Sequence, residues 1–216
     1  MPVSRDTLVP ATPLRRGLLL AFATIWLALA IHPLQRQDWL LENLLVLVAL
    51  PLLVYYGRRR PFSDSTYLQL FAFFVLHEVG AHYTYSEVPY VDWVTAITGQ
   101  EWPWLLESRN HYDRFVHFAY GLLMTPAAIE IFGRYGRYPR VWAWLFPLFF
   151  ISAHSVIYEL VEWAAALVFG GDLGQAFLGT QGDIWDAQKD MALAGLGSLI
   201  AIMIEARRGR LPLLRR

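Results

Sequence analysis

Residues 39–56 have the sequence WLLENLLVLVALPLLVYY, and residues 17–31 have the sequence GLLLAFATIWLALAI. These are the two most uniformly apolar stretches of the chain, and each approaches the ~20 residues that an α-helix needs to cross a bilayer. Hydrophobic residues make up 56% of the chain, and the mean hydropathy of +0.35 is high for a soluble domain. The two stretches therefore predict transmembrane helices.

Four further stretches of similar length follow, so the sequence predicts an all-α fold, a polytopic transmembrane helical bundle of about six spans. We expect a single transmembrane domain covering residues 1–216. The predicted spans are residues 17–33, 39–57, 66–86, 112–133, 142–169 and 187–206. The third and fourth carry ionisable residues, as expected where membrane helices line a polar cavity.

Arginines mark the segments on one side of this six-span arrangement, and acidic residues mark the other side. The arginine-rich segments contain Arg5, Arg15, Arg16, Arg58, Arg59, Arg60, Arg134, Arg137 and Arg140, and five arginines between Arg207 and Arg216. The opposite loops contain Glu87, Asp92, Glu101, Glu107, Asp172 and Asp183. Because basic residues concentrate in cytoplasmic loops, we expect both the N-terminus and the C-terminus to be cytoplasmic.

The first helix has an alternative interpretation. Arg15-Arg16, the apolar run after them and Ala28-Leu29-Ala30 resemble a cleavable signal peptide. Cleavage after Ala30 would leave five spans and an external N-terminus. We favour an uncleaved first helix.

Composition excludes several classes of function. The chain has no cysteine, which excludes disulfides, thiol catalysis and zinc knuckles. Its formal net charge is zero, which argues against a nucleic-acid-binding surface.

His and acidic residues gather at the non-cytoplasmic ends of spans three to six. Residues three or four apart share a helix face, so each of these helices is predicted to present a paired polar face. A carboxylate facing lipid is costly, so we expect the faces to meet inside the bundle. The polar residues of this layer are His77, Glu78, His82, Arg109, His111, Asp113, Arg114, His117, His154, Glu159, Glu162, Asp183, Asp186, Lys189 and Asp190.

The layer holds seven carboxylates against two arginines and one lysine, so protons, bound cations or water must balance the rest. Carboxylate with imidazole suits Zn, Mn or Fe, and carboxylate alone suits Mg or Ca. The residues therefore predict a divalent metal such as Zn, Mn or Mg and leave its identity open. The candidate metal ligands are His77, Glu78, His82, His111, Asp113, His117, Asp183, Asp186 and Asp190. His77 and His82 are five apart, so they do not form the H-E-x-x-H motif of zinc proteases.

Three residues are the candidate catalytic groups. Glu159 and Glu162 lie inside an apolar helix, where a carboxylate usually marks a pathway or a site, and either is a candidate general base. Arg114, or its neighbour Arg109, is a candidate for holding an anionic headgroup. The structural alternative is that Arg114 simply pairs with Glu159 or Asp190 in a packing network, and that His82 and His111 only cap helix ends.

Several motifs together resemble the YjdF-type family of bacterial inner-membrane proteins, a domain of unknown function. The resemblance covers most of the chain and implies a multi-pass protein of the bacterial cytoplasmic (inner) membrane. The motifs are HEVG at 77–80 with YTYS at 83–86, NHYDRFVHF at 110–118, YELVEW at 158–163 and GTQGDIWDAQKDM at 179–191.

The second half is also similar, more distantly, to the VanZ-like membrane proteins. Asp113, His117-Phe118, Glu159 and the acidic stretch 183–190 follow the order of that family's pattern. Glu162-Trp163 departs from it, because a Glu-Gln type of pairing is expected there.

Two functions from different classes follow. In the first, the chain is a metal-dependent hydrolase or transferase acting at the outer leaflet on a lipid or lipid-linked substrate. In the second, it is a non-enzymatic membrane protein that binds lipid, ions or a partner, and the polar layer is a structural network. Membrane lipids are partners in both cases.

Overall fold

The computed structural model describes residues 12–102, 109–135 and 141–211. Within these ranges the chain forms eight α-helices and no strand. The helices are α1 (Pro13–Leu29), α2 (Arg36–Arg59), α3 (Asp64–His82), α4 (Tyr90–Thr98), α5 (Tyr112–Tyr135), α6 (Trp142–Phe169), α7 (Gly171–Leu178) and α8 (Asp186–Arg207). Of the residues used above to orient the chain, Arg5, Glu107, Arg137, Arg140 and Arg216 lie outside the described residues, as does the side chain of Asp172.

Four of these helices are long and apolar enough to cross a membrane: α2, α5 up to Arg134, α6 and α8. They coincide with four of the six predicted spans. The other two predicted spans fall on α1 and α3, and α1 has only 17 residues. An all-helical membrane fold is therefore confirmed, whereas the count of six spans is not.

Helix α3 is shorter at its C-terminal end than the third predicted span, residues 66–86. It ends at His82. Thr84 and Tyr85 both have a φ of +53°, a left-handed backbone conformation that a right-handed helix cannot continue through. The first span is also displaced, because α1 begins at Pro13, after Thr12 caps it by accepting from the Arg15 amide at 3.4 Å.

Helix α2 shows how the fold suits a membrane. Its buried face begins with Asp38, Glu42 and Asn43, while Leu44 and Leu47 are 56% and 60% exposed. A soluble helix would bury the leucines, so this inverted pattern indicates a polar interior and a lipid-facing exterior. Residues 39–56, one of the two most uniformly apolar stretches, thus also contribute Glu42 and Asn43 to the buried face.

Arginine-rich segments meet at one end of the bundle, which we call the arginine end (residues 12–16, 56–66, 130–134 and 205–211). Arg134 Nη1 donates to the Arg60 carbonyl at 2.7 Å, and Arg15 Nη2 donates to the Phe62 carbonyl at 3.3 Å. Arg210 Nη1 donates to the Ser65 hydroxyl at 3.4 Å. The starts of α1 and α3 therefore lie beside the ends of α2, α5 and α8.

At the opposite end of the bundle, which we call the acidic end, hydrogen bonds connect the ends of α1 and α3 and the segments before α5 and α8. His82 Nδ1 donates to the Leu29 carbonyl at 2.7 Å, so the ends of α1 and α3 are adjacent. The Asn110 side chain donates to the Val88 carbonyl at 2.9 Å, and the Asn110 amide donates to Gln181 Oε1 at 2.8 Å. These bonds hold the segments before α5 and α8 side by side.

Helices α5 and α8 run parallel and make the most extensive contact in the bundle. Small residues allow it: a Cβ added to Gly121 would lie 1.9 Å from the Ala194 carbonyl oxygen, and one added to Gly197 would lie 2.2 Å from the Phe118 carbonyl oxygen. Thr125 Oγ1 donates to Ser198 Oγ at 2.8 Å across the same contact. Close backbone approach through small residues is a common way for membrane helices to associate.

Replacing Gly121 by Ala is therefore expected to destabilise the protein by about 1–3 kcal/mol, because the added methyl group meets backbone that cannot rotate away. Thermal unfolding of the purified protein in detergent measures this. The matched control is Gly195→Ala, since an added Cβ at Gly195 has no atom within 4 Å. Equal melting temperatures for the two variants would contradict the assigned role of Gly121.

Candidate functional site

The parallel contact of α5 and α8 brings together two acids and one histidine at the acidic end. Asp113 and His117 lie one turn apart on α5, and Asp190 lies on the facing turn of α8. One ligand atom from each of the three lies within 4.8 Å of the others. His117 and Asp190 are 8% and 2% exposed, so the group is sheltered from solvent. We call these three residues the triad cluster.

Helix α6 adds a third carboxylate beside the same imidazole. His117 Nε2 lies 3.5 Å from Asp113 Oδ1 and 3.6 Å from Glu159 Oε1. Both distances are too long for good hydrogen bonds. They match the spacing of ligand atoms around one ion, because ligands bound at about 2.1 Å in tetrahedral geometry lie about 3.4 Å apart.

Two arginines pair with Asp183 and Asp186, the acids at the start of α8. Arg109, with a side chain only 3% exposed, pairs with Asp186 and donates to the carbonyls of Gly179 and Thr180, both at 3.3 Å. Gly179 is in the left-handed region at φ +61°, which glycine adopts without strain, and it ends α7 there. The turn after α7 therefore fixes Arg109 between α5 and α8.

Arg114 and Lys189 hold the last acid of this group. Arg114 pairs with Asp183 and lies 3.3 Å from Asp186 Oδ1, and Lys189 Nζ lies 2.5 Å from Asp183 Oδ2. The Lys189 ammonium, with the Trp185 amide and Arg114, lowers the pKa of Asp183 below its usual range. Asp183 and Asp186 are thus fully paired, and their charges need no metal.

Other acids of the site lack such basic partners in the described part of the chain. Among the described residues, no Lys or Arg lies within 4.0 Å of Glu159, Glu162 or Asp190. Glu159 Oε1 and Asp190 Oδ1 are buried without a hydrogen-bond partner among the described residues. Glu162 is buried within electrostatic reach of Asp113, Glu159 and Asp190. Buried carboxylates of this kind require a proton or a bound cation.

The histidine and glutamate of α3 lie apart from the triad cluster. His77 Nε2 donates to the Glu42 carbonyl at 3.2 Å, and its Nδ1 accepts from the Tyr85 hydroxyl at 2.6 Å. Both ring nitrogens therefore have partners. Glu78 is fully buried, and neither of its carboxylate oxygens has a hydrogen-bond partner among the described residues.

Of the other two candidate histidine ligands, His82 is bonded to another helix and His111 lies just before α5. His82 Nδ1 is bonded to Leu29 at the end of α1. His111 precedes α5, and partial burial together with the nearby Arg114 and Arg109 lowers its pKa below the usual value for histidine. Of the nine predicted ligands, three form the triad cluster. The other six, which are outside it, are His77, Glu78, His82, His111, Asp183 and Asp186. Their role as ligands stays a prediction.

Sequence reasoning missed the contribution of α2. Glu42 Oε2 accepts from the Tyr158 hydroxyl at 2.6 Å, and the Tyr158 ring packs edge-on against His117 with centroids 6.0 Å apart. Asp38, one turn before Glu42, is 1% exposed. The four-residue spacing of Asp38 and Glu42 was the available signal, because it places two acids on one face of an apolar helix.

The three predicted catalytic residues fall in this site. Glu159 lies beside His117, Glu162 lies one turn further along α6, and Arg114 pairs with acids at the start of α8. The alternative pairing of Arg114 with Glu159 or Asp190 is not found, because Arg114 pairs with Asp183 and Asp186. His154, on the same helix as Glu159, bonds only to its own helix at Phe150 and is exposed.

Replacing Arg109 by Met is expected to destabilise the protein by about 3–5 kcal/mol, because it leaves Asp186 buried with less of its compensating charge. Arg109→Lys restores the charge without the planar set of donors and is expected to recover only part of the stability. Thermal unfolding in detergent measures both. Arg36→Met, at an exposed arginine near the same end, is the control and leaves the melting temperature unchanged.

Comparison with known proteins places this arrangement in a family. A family model described as "Predicted membrane protein (DUF2238)" matches residues 14–210. The chain is 37% identical over 203 residues to a protein of Escherichia coli (strain K12) named "Inner membrane protein YjdF", covering 93% of this chain and 92% of that protein. No solved structure matches the chain.

The predicted YjdF-type resemblance and the inner-membrane location are confirmed by these matches. The more distant VanZ-like resemblance is not shown by them and stays a prediction. With a family model matching almost its whole length and a relative similar over nearly all of both chains, the protein belongs to the DUF2238 family of membrane proteins.

Proposed function

We propose that this inner-membrane protein binds one divalent cation at the triad cluster of Asp113, His117 and Asp190. The observation that carries the proposal is the convergence of their ligand atoms within 4.8 Å in a buried place. The unpartnered oxygens of Asp190 and Glu159 support it, because each is a potential ligand without another bond. One imidazole with carboxylates suits Zn or Mn better than Mg, which prefers oxygen ligands alone.

A cation held there would support hydrolysis or group transfer. Such an ion lowers the pKa of a bound water and polarises a phosphoryl or acyl oxygen. Glu159 is the residue best placed as general base, since its Oε1 lies 3.6 Å from His117 Nε2 and makes no hydrogen bond within the described part of the chain. Glu162, one turn further along α6, is the second candidate.

The surroundings of the site support a lipid or lipid-linked substrate. Helix α6 exposes Leu160 and Trp163 to the lipid-facing side, 54% and 56% exposed, on the turns that carry Glu159 and Glu162. A lipid or lipid-linked substrate could therefore approach from the membrane. Arg114 Nε is buried without a hydrogen bond among the described residues and is available to an anionic headgroup.

Elemental analysis of the purified protein tests the cation site. The wild type is expected to carry about one Zn or Mn per chain, and His117→Ala and Asp190→Asn are expected to lose it, because each removes one of three ligands. His77→Ala is expected to keep the metal, since the nitrogens of His77 already bond to Glu42 and Tyr85.

The control for His117→Ala is His154→Ala, an exposed histidine on α6 that bonds only to its own helix. Metal-free wild-type protein that also fails to take up Zn, Mn or Mg on titration would refute the site. Unchanged metal content in His117→Ala would refute the ligand assignment.

A second function has one observation in its favour. Arg109, Arg114 and Lys189 already pair with Asp183 and Asp186, so part of the polar layer serves as a structural network. In this alternative the chain is a non-enzymatic membrane protein that binds lipid, ions or a partner, and protons neutralise the inner acids. A null response in a thermal-shift titration with Zn, Mn and Mg favours it.

We further propose that α1 and α3 also cross the membrane, giving six spans with both termini cytoplasmic. Supporting this, the arginine-rich segments meet at one end of the bundle, and basic residues concentrate on the cytoplasmic side. The triad cluster then lies near the periplasmic face.

Alkaline phosphatase fusions test this topology, because the enzyme is active only outside the cytoplasm. Fusion after Gly99 is expected to be active, and fusions after Arg60 and after Leu211 are expected to be inactive. An active fusion after Arg60 would overturn the proposed orientation, and equal activity after Arg60 and Gly99 would show that α3 does not cross.

A further inference from the structure

A cavity of about 400 Å³ lies at the arginine end, on the far side of the bundle from the triad cluster. It opens between the start of α3, the last turns of α5 and the end of α8. Its polar lining comes from Ser63, Glu130, Arg134, Glu205 and Arg210. Its volume is within the range of ordinary small-molecule sites, which begins at about 300 Å³.

The acids in this lining are already neutralised by groups of the protein. Glu130 accepts from the Ser63 amide and hydroxyl, from the Thr66 hydroxyl at 2.7 Å and from Arg134 at 2.9 Å. Its carboxylate therefore lies beside Ser63, the N-cap of α3, where a negative charge favours the helix N-terminus. Glu130 presents little uncompensated charge to the cavity.

The second acid holds two arginines at once. Glu205 is 2% exposed, and its two oxygens accept from Arg208 at 2.9 Å and from Arg210 at 3.1 Å. One carboxylate cannot neutralise two guanidinium groups, so one positive charge is left over. Arg210 is 44% exposed and uses only Nη1 in these bonds, so its Nε and Nη2 are available to a ligand.

The opposite wall of the cavity is apolar. Pro126, Ile129 and Gly133 lie along one face of α5, at spacings of three and four residues. A Cβ added to Gly133 would have no atom within 4 Å, so the glycine borders open space. The cavity thus combines a cationic rim with an apolar wall on a helix that crosses the membrane.

We propose that this cavity binds the phosphate headgroup of an anionic phospholipid, with Arg210 on the phosphate and an acyl chain along Ile129 and Pro126. A phosphate anion matches the surplus charge and the free guanidinium donors. The apolar wall favours a lipid over a soluble phosphate, because it gives the glycerol and the first acyl carbons a surface to cover. Basic pockets between membrane helices on the cytoplasmic side commonly hold such headgroups.

Native mass spectrometry of the detergent-purified full chain tests the proposal. With phosphatidylglycerol added, one bound lipid is expected on the wild type, and with phosphatidylcholine none. Arg210→Ala is expected to weaken binding about fivefold, the equivalent of one basic side chain near a membrane surface. Gly133→Leu is expected to abolish binding, because its side chain fills the cavity without meeting backbone.

The matched control is Gly195→Leu, an equally uncrowded glycine in the middle of α8, which is expected to bind as the wild type does. Arg210→Ala leaves Glu205 paired with Arg208, so it is expected to fold, and the melting temperature of each variant checks this. Equal binding of phosphatidylcholine, or unchanged lipid binding by Gly133→Leu, would overturn the site. Binding of inorganic phosphate or glycerol 3-phosphate without lipid would overturn the lipid as the ligand.

Discussion

The close parallel packing of α5 and α8 is the contact on which the candidate site depends. Gly121 and Gly197 let the two backbones approach to a distance that no side chain would permit. Because the helices run in the same direction, matching turns face each other along their length. Asp113 and His117 therefore face Asp190 at one end, and Thr125 faces Ser198 further along. A change in this packing would separate the cluster without touching any of its members.

Basic side chains are distributed unevenly among the acids at the acidic end, so some of these acids have a basic partner in the described part of the chain and others have none. The turn around Gly179 fixes Arg109 against Asp186, while Arg114 and Lys189 hold Asp183. The acids deeper in the bundle have no such partners among the described residues. A polar network that served stability alone would be expected to pair its buried acids as fully as its outer ones. Glu159 and Asp190, which have no Lys or Arg partner among the described residues, are the reason for proposing a cation beside His117.

Helix α2 shows why a sequence pattern can be misjudged in a membrane protein. Its long apolar run outweighs Asp38, Glu42 and Asn43 in any average over a span. Their importance comes from burial, and burial depends on which face meets the bundle. Glu42 reaches Tyr158 on α6, 116 residues away, and through it the ring of His117. No local feature of residues 39–56 specifies that contact, because it is made by a helix far along the chain.

The sequence by itself determined the helical membrane fold, the family and the set of polar residues at one end of the bundle. It could do so because apolar length, arginine bias and three- or four-residue spacing are local properties of the chain. Only the tertiary structure decided which polar residues meet. It grouped Asp113 and His117 with Asp190, gave His77 to Glu42 and Tyr85, and assigned Arg114 to Asp183. Those partners depend on helix rotation and depth, which are set by packing between distant segments.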